Sequence, residues 1–242
     1  MSELESLSIP AETATVRHYY MHVTYKECKR GEEQYCKGED GCRFSYNCML
    51  PDGTILQGGY SKIIVVDENY VVRIPDSLPL DVAAPLLCAG ITTYSPLVYF
   101  GARQAGSSCH VGVAGLGGLG HMAAKFAVAM GCRVTVFSTS ASKASRAESM
   151  GCAFVCTSDK TAMKGARLSI DLMIDTISGS HKLQPYISTL KTNGRICVVG
   201  LPVEPFTIGA FDLLAIRGSV SSSNFGGIRE VCNIFISYLF SF

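Results

Sequence analysis

The chain has almost no excess of charge: 21 Lys and Arg stand against 20 Asp and Glu in 242 residues, a net +1. With both signs mixed along its length, it offers neither the basic stripe of a nucleic-acid binder nor a surface built for acidic substrates. Its first residues, MSELESLSIPAETATVRHYY, lack a basic stretch followed by an apolar one, so no secretory signal is expected. No apolar run is expected to reach the ~20 residues of a membrane span. Pro85 and Pro96 interrupt the apolar stretch near 82–100, and the terminal VCNIFISYLFSF is too short. No internal repeat or low-complexity tract is present. Cysteine is plentiful, but the eleven are odd in number, and Cys132, Cys152, Cys156 and Cys197 fall in expected core strands. That pattern argues for reduced thiols in a cytoplasmic protein rather than a disulfide framework.

What is present centres on Cys109 to Lys143, CHVGVAGLGGLGHMAAKFAVAMGCRVTVFSTSASK. Val111, Val113 and Ala114 suit a buried strand, Gly115, Gly117 and Gly120 form G-x-G-x-x-G, and Met122 to Met130 favour a helix. Val134 to Phe137 then close a strand–turn–helix–strand unit. In such a unit Gly115 serves the tight turn, Gly117 the close approach of a pyrophosphate, and Gly120 the packing of helix on strand. The helix N-terminus supplies unpaired N–H groups for the phosphates. A glycine-rich turn without a ligand is the plainer reading, but the flanking strands and helix favour a dinucleotide.

The end of the second strand lacks the Asp or Glu that accepts hydrogen bonds from an NAD ribose. Ser138, Thr139 and Ser140 stand there, with Lys143 following and Arg146 beyond. Hydroxyls donate to a 2′-phosphate and a lysine neutralises part of its charge, so NADP(H) is expected over NAD(H). An ordinary loop capped by Ser140 or Ser142 is the alternative.

Further strands are expected at Ala153–Cys156, Asp171–Asp175, Arg195–Gly200 and Ser219–Ser223, giving six in all. Six suffice for an α/β, doubly wound parallel Rossmann sheet of order 3-2-1-4-5-6, with Asp175-Thr176 and Val199-Gly200-Leu201 at carboxyl ends where ligands bind. Before the unit, Tyr60, Ile63 to Val66 and Tyr70 to Ile74 read as strands around turns at Asp52-Gly53 and Gly58-Gly59, and Tyr19 to Met21 hint at another. Asp81 is expected to cap a helix kinked at Pro96, with Cys88 a buried thiol on it. A last helix begins at Ile228. Cys28 and Cys36 could make half of a tetrahedral zinc site, with Cys42 and Cys48 as alternatives or bystanders.

GLGGLGH, STS-x-x-K, DGTxxxGGYS, VVDENYVVRIPDSLPLDVAAPLLCAGITTYSPL and IDTIS together resemble the plant cinnamyl alcohol dehydrogenases, zinc-containing medium-chain dehydrogenases/reductases, from about Cys28 to about Ile234. The resemblance implies NADP(H)-dependent interconversion of an aromatic or allylic aldehyde with its alcohol. It implies a GroES-like β-barrel domain, here incomplete over 1–94, and a Rossmann domain over 95–242. It implies dimers through the Rossmann sheet edge, homodimers or mixed dimers with a full-length relative. Nicotinamide-side contacts map to Thr92, Thr176, Val199 and Ser223, with Thr92 also on the substrate side. The pyrophosphate loop maps to Leu116, Gly117, Gly118 and Leu119, between Gly115 and Gly120. The 2′-phosphate contacts map to Ser138, Thr139, Ser140 and Lys143.

For zinc, Cys88 matches the last catalytic ligand, and Cys28 and Cys36 match the third and fourth structural cysteines. His22 and Tyr25 stand where the first two would be. The family's Gly-His-Glu is absent and the chain is expected to be truncated at both ends, so zinc is expected to be absent or weakly held. Alcohol dehydrogenases are the familiar case of a catalytic zinc held by two cysteines and a histidine. Losing a Lewis acid worth several kcal/mol costs on the order of 10³-fold in rate. The expectation is therefore a dehydrogenase by family whose isolated chain binds NADP(H) far better than it turns over. A zinc-independent reduction using Thr92 or Tyr94 as donor is a third reading.

Overall fold

A computed structural model describes residues 14–16, 25–37, 46–50, 52–58 and 68–241. The expected strands at Tyr19–Met21 and Ile63–Val66, together with Tyr60, His22 and Cys42, lie outside the described residues. The chain divides into two compact units, Met1–Leu87 with Gly226–Phe242, and Cys88–Phe225.

In the first unit, strand β1 (Ala14–Val16) is paired antiparallel by β4 (Val71–Arg73), and β2 (Tyr46–Met49) pairs with β3 (Ile55–Gln57). The β2–β3 turn closes with Gly53 at φ +84° and the Thr54 N–H bonded to the Asp52 carboxylate at 2.9 Å. The strand expected at Tyr70–Ile74 is shorter, because Glu68–Tyr70 wind into a 3-10 turn and extend only from Val71. Helix α1 (Lys26–Arg30) stops at Gly31, whose φ of +77° ends it in the left-handed conformation. Helix α2 (Leu80–Pro85) begins here, and α10 (Ile228–Ser241) ends the chain. The buried Glu33 carboxylate accepts the Ile228 N–H and so caps α10 from a segment 195 residues away.

The second unit holds α3 (Ile91–Tyr99), α4 (Ala102–Ala105), α5 (Gly118–Ala129), α6 (Ala144–Ser149), α7 (Lys160–Gly165), α8 (Gln184–Ile187) and α9 (Ala210–Leu214). Its strands are β5 (His110–Ala114), β6 (Arg133–Ser138), β7 (Ala153–Cys156), β8 (Ile170–Asp175), β9 (Leu190–Val198) and β10 (Ser219–Ser222). All six run parallel in the order β10-β9-β8-β5-β6-β7, which is the expected 3-2-1-4-5-6 read from the β7 edge. Alternation splits the apolar residues between two faces. Val111, Val113, Val134, Val136, Leu172, Ile174 and Cys197 meet α3 and α5. Phe137, Ile170, Met173, Ile196 and Val198 meet α8. Ile170 and Leu172 reach opposite faces despite their even spacing, at the point where the β8–β9 register jumps from Ile170↔Leu190 to Leu172↔Arg195. That jump also starts β9 five residues earlier than expected. Helix α5 presents Gly120, Ala123, Ala124 and Ala127, a small-residue stripe at helical spacing, to the sheet.

Two expectations for the segment before this sheet are corrected. Asp81 does not cap: Pro79 holds the N-cap position, and the Asp81 carboxylate bonds only to the N–H of Val82. Pro96 does not break the helix; the irregularity falls at Leu86–Gly90, a single π turn, whose Ala89 and Gly90 carbonyls the Thr93 hydroxyl meets at 2.9 and 3.1 Å. Leu80–Tyr99 therefore runs as a 20-residue helical stretch, long and apolar enough to cross a membrane by length and composition, contrary to the expectation. Fifty-six per cent of its most apolar part is buried within the folded chain, as in a core helix.

Candidate cofactor site at the carboxyl edge of the sheet

The chain leaves β5 through Gly115 at φ +85°, a conformation a side chain would strain, and the Gly115 N–H bonds to the Phe137 carbonyl at 2.8 Å. A Cβ on Gly120 would overlap the Gly115 carbonyl oxygen, so only glycine lets α5 sit this close to the turn. Gly117 caps the helix in an extended conformation, and a Cβ on it or on Gly118 would meet nothing within 4 Å. The turn is therefore tight against protein on one side and open on the other. The first helical bond runs from the His121 N–H to the Gly117 carbonyl, leaving the N–H groups of 118–120 without intrahelical acceptors. Leu116 is buried and Leu119 half-buried.

The loop after β6 comes back to this turn. The Lys143 ammonium donates to the Leu116 carbonyl at 3.0 Å, which brings the expected 2′-phosphate cluster against the expected pyrophosphate loop. Ser138 is buried at the strand end, and its hydroxyl accepts the Ser140 N–H at 3.3 Å. Thr139 is exposed, and the Ser140 and Ser142 hydroxyls bond each other at 2.8 Å. Neither serine side chain caps the following turn, so the plainer capping reading fails. No carboxylate belongs to residues 138–143. Arg146 and Lys125 add positive charge nearby; with burial as the larger cause they push the His121 pKa down, and its Nδ1 is buried without a partner. Sequence reasoning did not single out His121.

At the other end of the edge, the Thr176 hydroxyl donates to the Ala114 carbonyl at 2.7 Å, clamping the start of the glycine turn. The Val199 N–H bonds to the Asp175 carbonyl at 2.9 Å, and the Ser223 N–H to the Val198 carbonyl at 3.1 Å. Thr176 and Val199 are buried and Ser223 half-buried. Asp175 is fully buried with its carboxylate 2.8 Å from His181 Nε2, a loop histidine six residues on that no sequence pattern marks as its partner. Thr92 lies half-buried on α3. Tyr94 is buried edge-on to Phe126, with its hydroxyl accepting from Arg103 at 3.3 Å. A cavity of about 290 Å³ lies elsewhere, at the amino ends of the strands, lined by Phe100, Cys109, Asp171 and Arg195.

The expected zinc residues are scattered differently. Cys28 and Cys36 lie with their thiols in contact; burial, then the Cys36 thiol, pushes Cys28 up to about 11. Cys88 is exposed on the π turn rather than buried, because Leu86, Leu87 and Gly90 take the inward positions. Among the described residues no three His, Cys, Asp or Glu side chains gather to hold a metal ion.

The profile of the zinc-binding dehydrogenase family matches residues 118–239. Over 205 residues, 84 % of this chain, the sequence is 47 % identical to cinnamyl alcohol dehydrogenase 2 of Rauvolfia serpentina. The fold superposes on a cinnamyl alcohol dehydrogenase of Sorghum bicolor with a TM-score of 0.83 at 37 % identity, covering 91 % of this chain. It superposes on the CAD of Helicobacter pylori, solved in complex with NADP(H), with a TM-score of 0.78 at 38 % identity over 92 % of this chain. The chain spans 56 % of the Rauvolfia protein and 62 % of each structure. A Rossmann sheet in the expected strand order, a glycine turn closed on one face and open on the other, and these likenesses agree: the chain belongs to the zinc-binding dehydrogenase family of medium-chain dehydrogenases/reductases, alongside the cinnamyl alcohol dehydrogenases.

Proposed function

We propose that this chain is the NADP(H)-binding portion of a cinnamyl-alcohol-dehydrogenase-type oxidoreductase. Residues 1–94 form a partial GroES-like catalytic domain and 95–242 the Rossmann domain. The reaction is interconversion of an aromatic or allylic aldehyde with its alcohol, in the cytoplasm. The observation that carries the reading is the cradle: an open glycine face with helix N–H groups, Lys143 against Leu116, and a hydroxyl cluster with no carboxylate at the end of β6. Gly115, Leu116, Gly117, Gly118, Leu119 and Gly120 hold the pyrophosphate. Ser138, Thr139, Ser140 and Lys143 hold the 2′-phosphate, Lys143 exchanging a neutral carbonyl partner for a charged one. Thr92, Thr176, Val199 and Ser223 line the nicotinamide, which when bound supplies or accepts the hydride. The Helicobacter relative's NADP(H) complex and the Rauvolfia relative's name support this choice of cofactor and reaction.

A second reading has one observation in its favour. With no metal-holding cluster among the described residues, the chain alone binds cofactor and turns over little or not at all. Association with a second copy or a full-length relative would run along β10, which has only β9 beside it in the sheet. Incubating the chain with NADPH and cinnamaldehyde, with and without added zinc, separates the two. Oxidation of NADPH that zinc restores supports the dehydrogenase reading. Protection from thermal unfolding by NADPH without oxidation under either condition supports the binding-only reading.

A further inference from the structure

Between the glycine turn and β9 the molecule buries a carboxylate that the cofactor chemistry does not use. Asp175 ends β8 with no exposed surface. Its Oδ1 accepts the Ile177 N–H at 3.1 Å, and its Oδ2 lies 2.8 Å from His181 Nε2. The other ring nitrogen of His181, Nδ1, lies 2.8 Å from the Gly179 carbonyl oxygen. The imidazole is held edge-on by Tyr186 and Phe206, with centroids 6.1 and 5.1 Å away.

A peptide carbonyl only accepts, so Nδ1 must carry a proton. With a single proton there, Nε2 would turn a lone pair toward an ionised carboxylate in a buried setting, where like-signed contacts are costly. Burial raises the Asp175 carboxyl above its ordinary value, and the Ile177 N–H and the imidazole offset that rise only in part. Burial, with the Asp175 charge adding, pushes the Tyr186 phenol up to about 12, and burial pushes the Cys197 thiol up to about 11, so neither neighbour adds negative charge beside the pair.

We propose that His181 is a positioning residue for the nicotinamide end of the cofactor site: protonated on both ring nitrogens, it bridges the Asp175 carboxylate and the Gly179 carbonyl and fastens the segment that carries Thr176. The same segment holds its neighbours on both sides. Thr176 donates to Ala114 at the head of the glycine turn, and the Asp175 carbonyl accepts the N–H groups of Val199 and Gly200 at 2.9 and 3.1 Å. A Cβ on Gly200 would overlap the Ile177 carbonyl oxygen, so β9 and the segment fit only in this arrangement. Two residues assigned to the nicotinamide, Thr176 and Val199, are thus bonded through the short segment that His181 fastens. This rests on the proposed NADP(H) site, and the tests below separate failure of one from failure of the other.

The first measurement needs no ligand. Nitrogen-15 NMR of the His181 imidazole in the wild-type chain is expected to show both nitrogens protonated; a single protonated nitrogen overturns the proposal. In Asp175→Asn the amide donates to a neutral Nε2 and keeps the geometry, so the ring is expected to carry one proton. That variant is expected to bind NADPH within about threefold of wild type, since a matched neutral pair replaces a charged one. His181→Phe keeps the ring packing and loses both bonds. It is expected to weaken NADPH binding at least about tenfold, the scale of a lost bond to a charged group. It is expected to leave adenosine 2′,5′-bisphosphate, which reaches only the glycine turn and the Ser138–Lys143 cluster, bound as before. Equal loss of both ligands, or no loss of either, overturns the proposal. A wild-type chain that binds neither ligand removes the NADP(H) reading instead, and the NMR result then decides the proton bridge by itself.

Discussion

In the unit Cys88–Phe225, one set of glycines serves both the core and the open cradle, whereas in the unit of Met1–Leu87 and Gly226–Phe242 Cys28 and Cys36 make no metal-holding cluster among the described residues. Gly115 and Gly120 close the strand–helix junction from inside, and Gly117 and Gly118 leave the outer face bare. Cys28 and Cys36 touch each other without a third ligand among the described residues, while a carboxylate, Glu33, ties α10 to its own neighbourhood. A dinucleotide cradle made of backbone needs only a continuous strand–turn–helix segment, so it is complete wherever that segment is. A metal centre made of side chains drawn from distant segments has no such self-sufficiency.

The sharpest way to break this contrast is to give each glycine a methyl group. Gly120→Ala drives a Cβ into the Gly115 carbonyl and against the Thr176 hydroxyl at 3.0 Å. It is expected to cost ~1–3 kcal/mol of stability and to abolish NADPH binding, read by urea unfolding and calorimetry. Gly117→Ala meets nothing within 4 Å, and is expected to change stability by less than ~0.5 kcal/mol while weakening NADPH at least about tenfold. Equal effects of the two on unfolding would remove the distinction between core glycine and cradle glycine.

Next in size is Lys143→Ala. Losing one charge-assisted bond to the 2′-phosphate is expected to weaken NADPH by about tenfold or more and leave NADH unchanged. In the other unit, Glu33→Ala removes the acceptor at the start of α10 and is expected to cost ~1–2 kcal/mol there. Faster hydrogen exchange in the first turn of α10, with unchanged NADPH affinity, would confirm that the tie is structural. Glu33→Gln, which keeps an acceptor, is expected to restore most of it.

The smallest expected effect compares thiols in the two units. Burial pushes Cys109 and Cys197 up to about 11, and burial with Cys36 does the same to Cys28, from an ordinary value of 9.0. Well below pH 9.0 these thiols are neutral in both folded and unfolded chains and contribute no pH dependence. Between pH 9.0 and about 11 the unfolded thiols ionise while the folded ones keep their protons, so stability falls as pH rises through that window. Urea unfolding at intervals across it reads the slope, and Cys197→Ala is expected to flatten it.

Much of the fold was legible because β5, β6, β7 and β8 are short apolar-rich runs between glycine or polar breaks. The β9 start was not, because Lys191-Thr192-Asn193-Gly194 reads as a turn and is in fact the bulge that shifts register against β8. The helix at 80–99 differs from its sequence pattern for a related reason: its irregularity is the π turn at Leu86–Gly90, between Pro85 and Pro96, which no residue type marks. Of the cradle, the glycine and hydroxyl residues were readable from spacing alone. The Lys143–Leu116 bond that brings them together runs to a backbone carbonyl, which no residue pattern marks. Asp175 was placed at a strand end, yet its histidine partner comes from a loop without a periodic signal.

Isothermal titration of the purified chain with NADPH and then NADH tests the cradle most directly. We expect saturable one-site binding of NADPH, at least about tenfold tighter than NADH, since the two differ by the 2′-phosphate that Lys143 and the hydroxyls would hold. A folded chain that takes up neither, or that prefers NADH, would contradict the central claim.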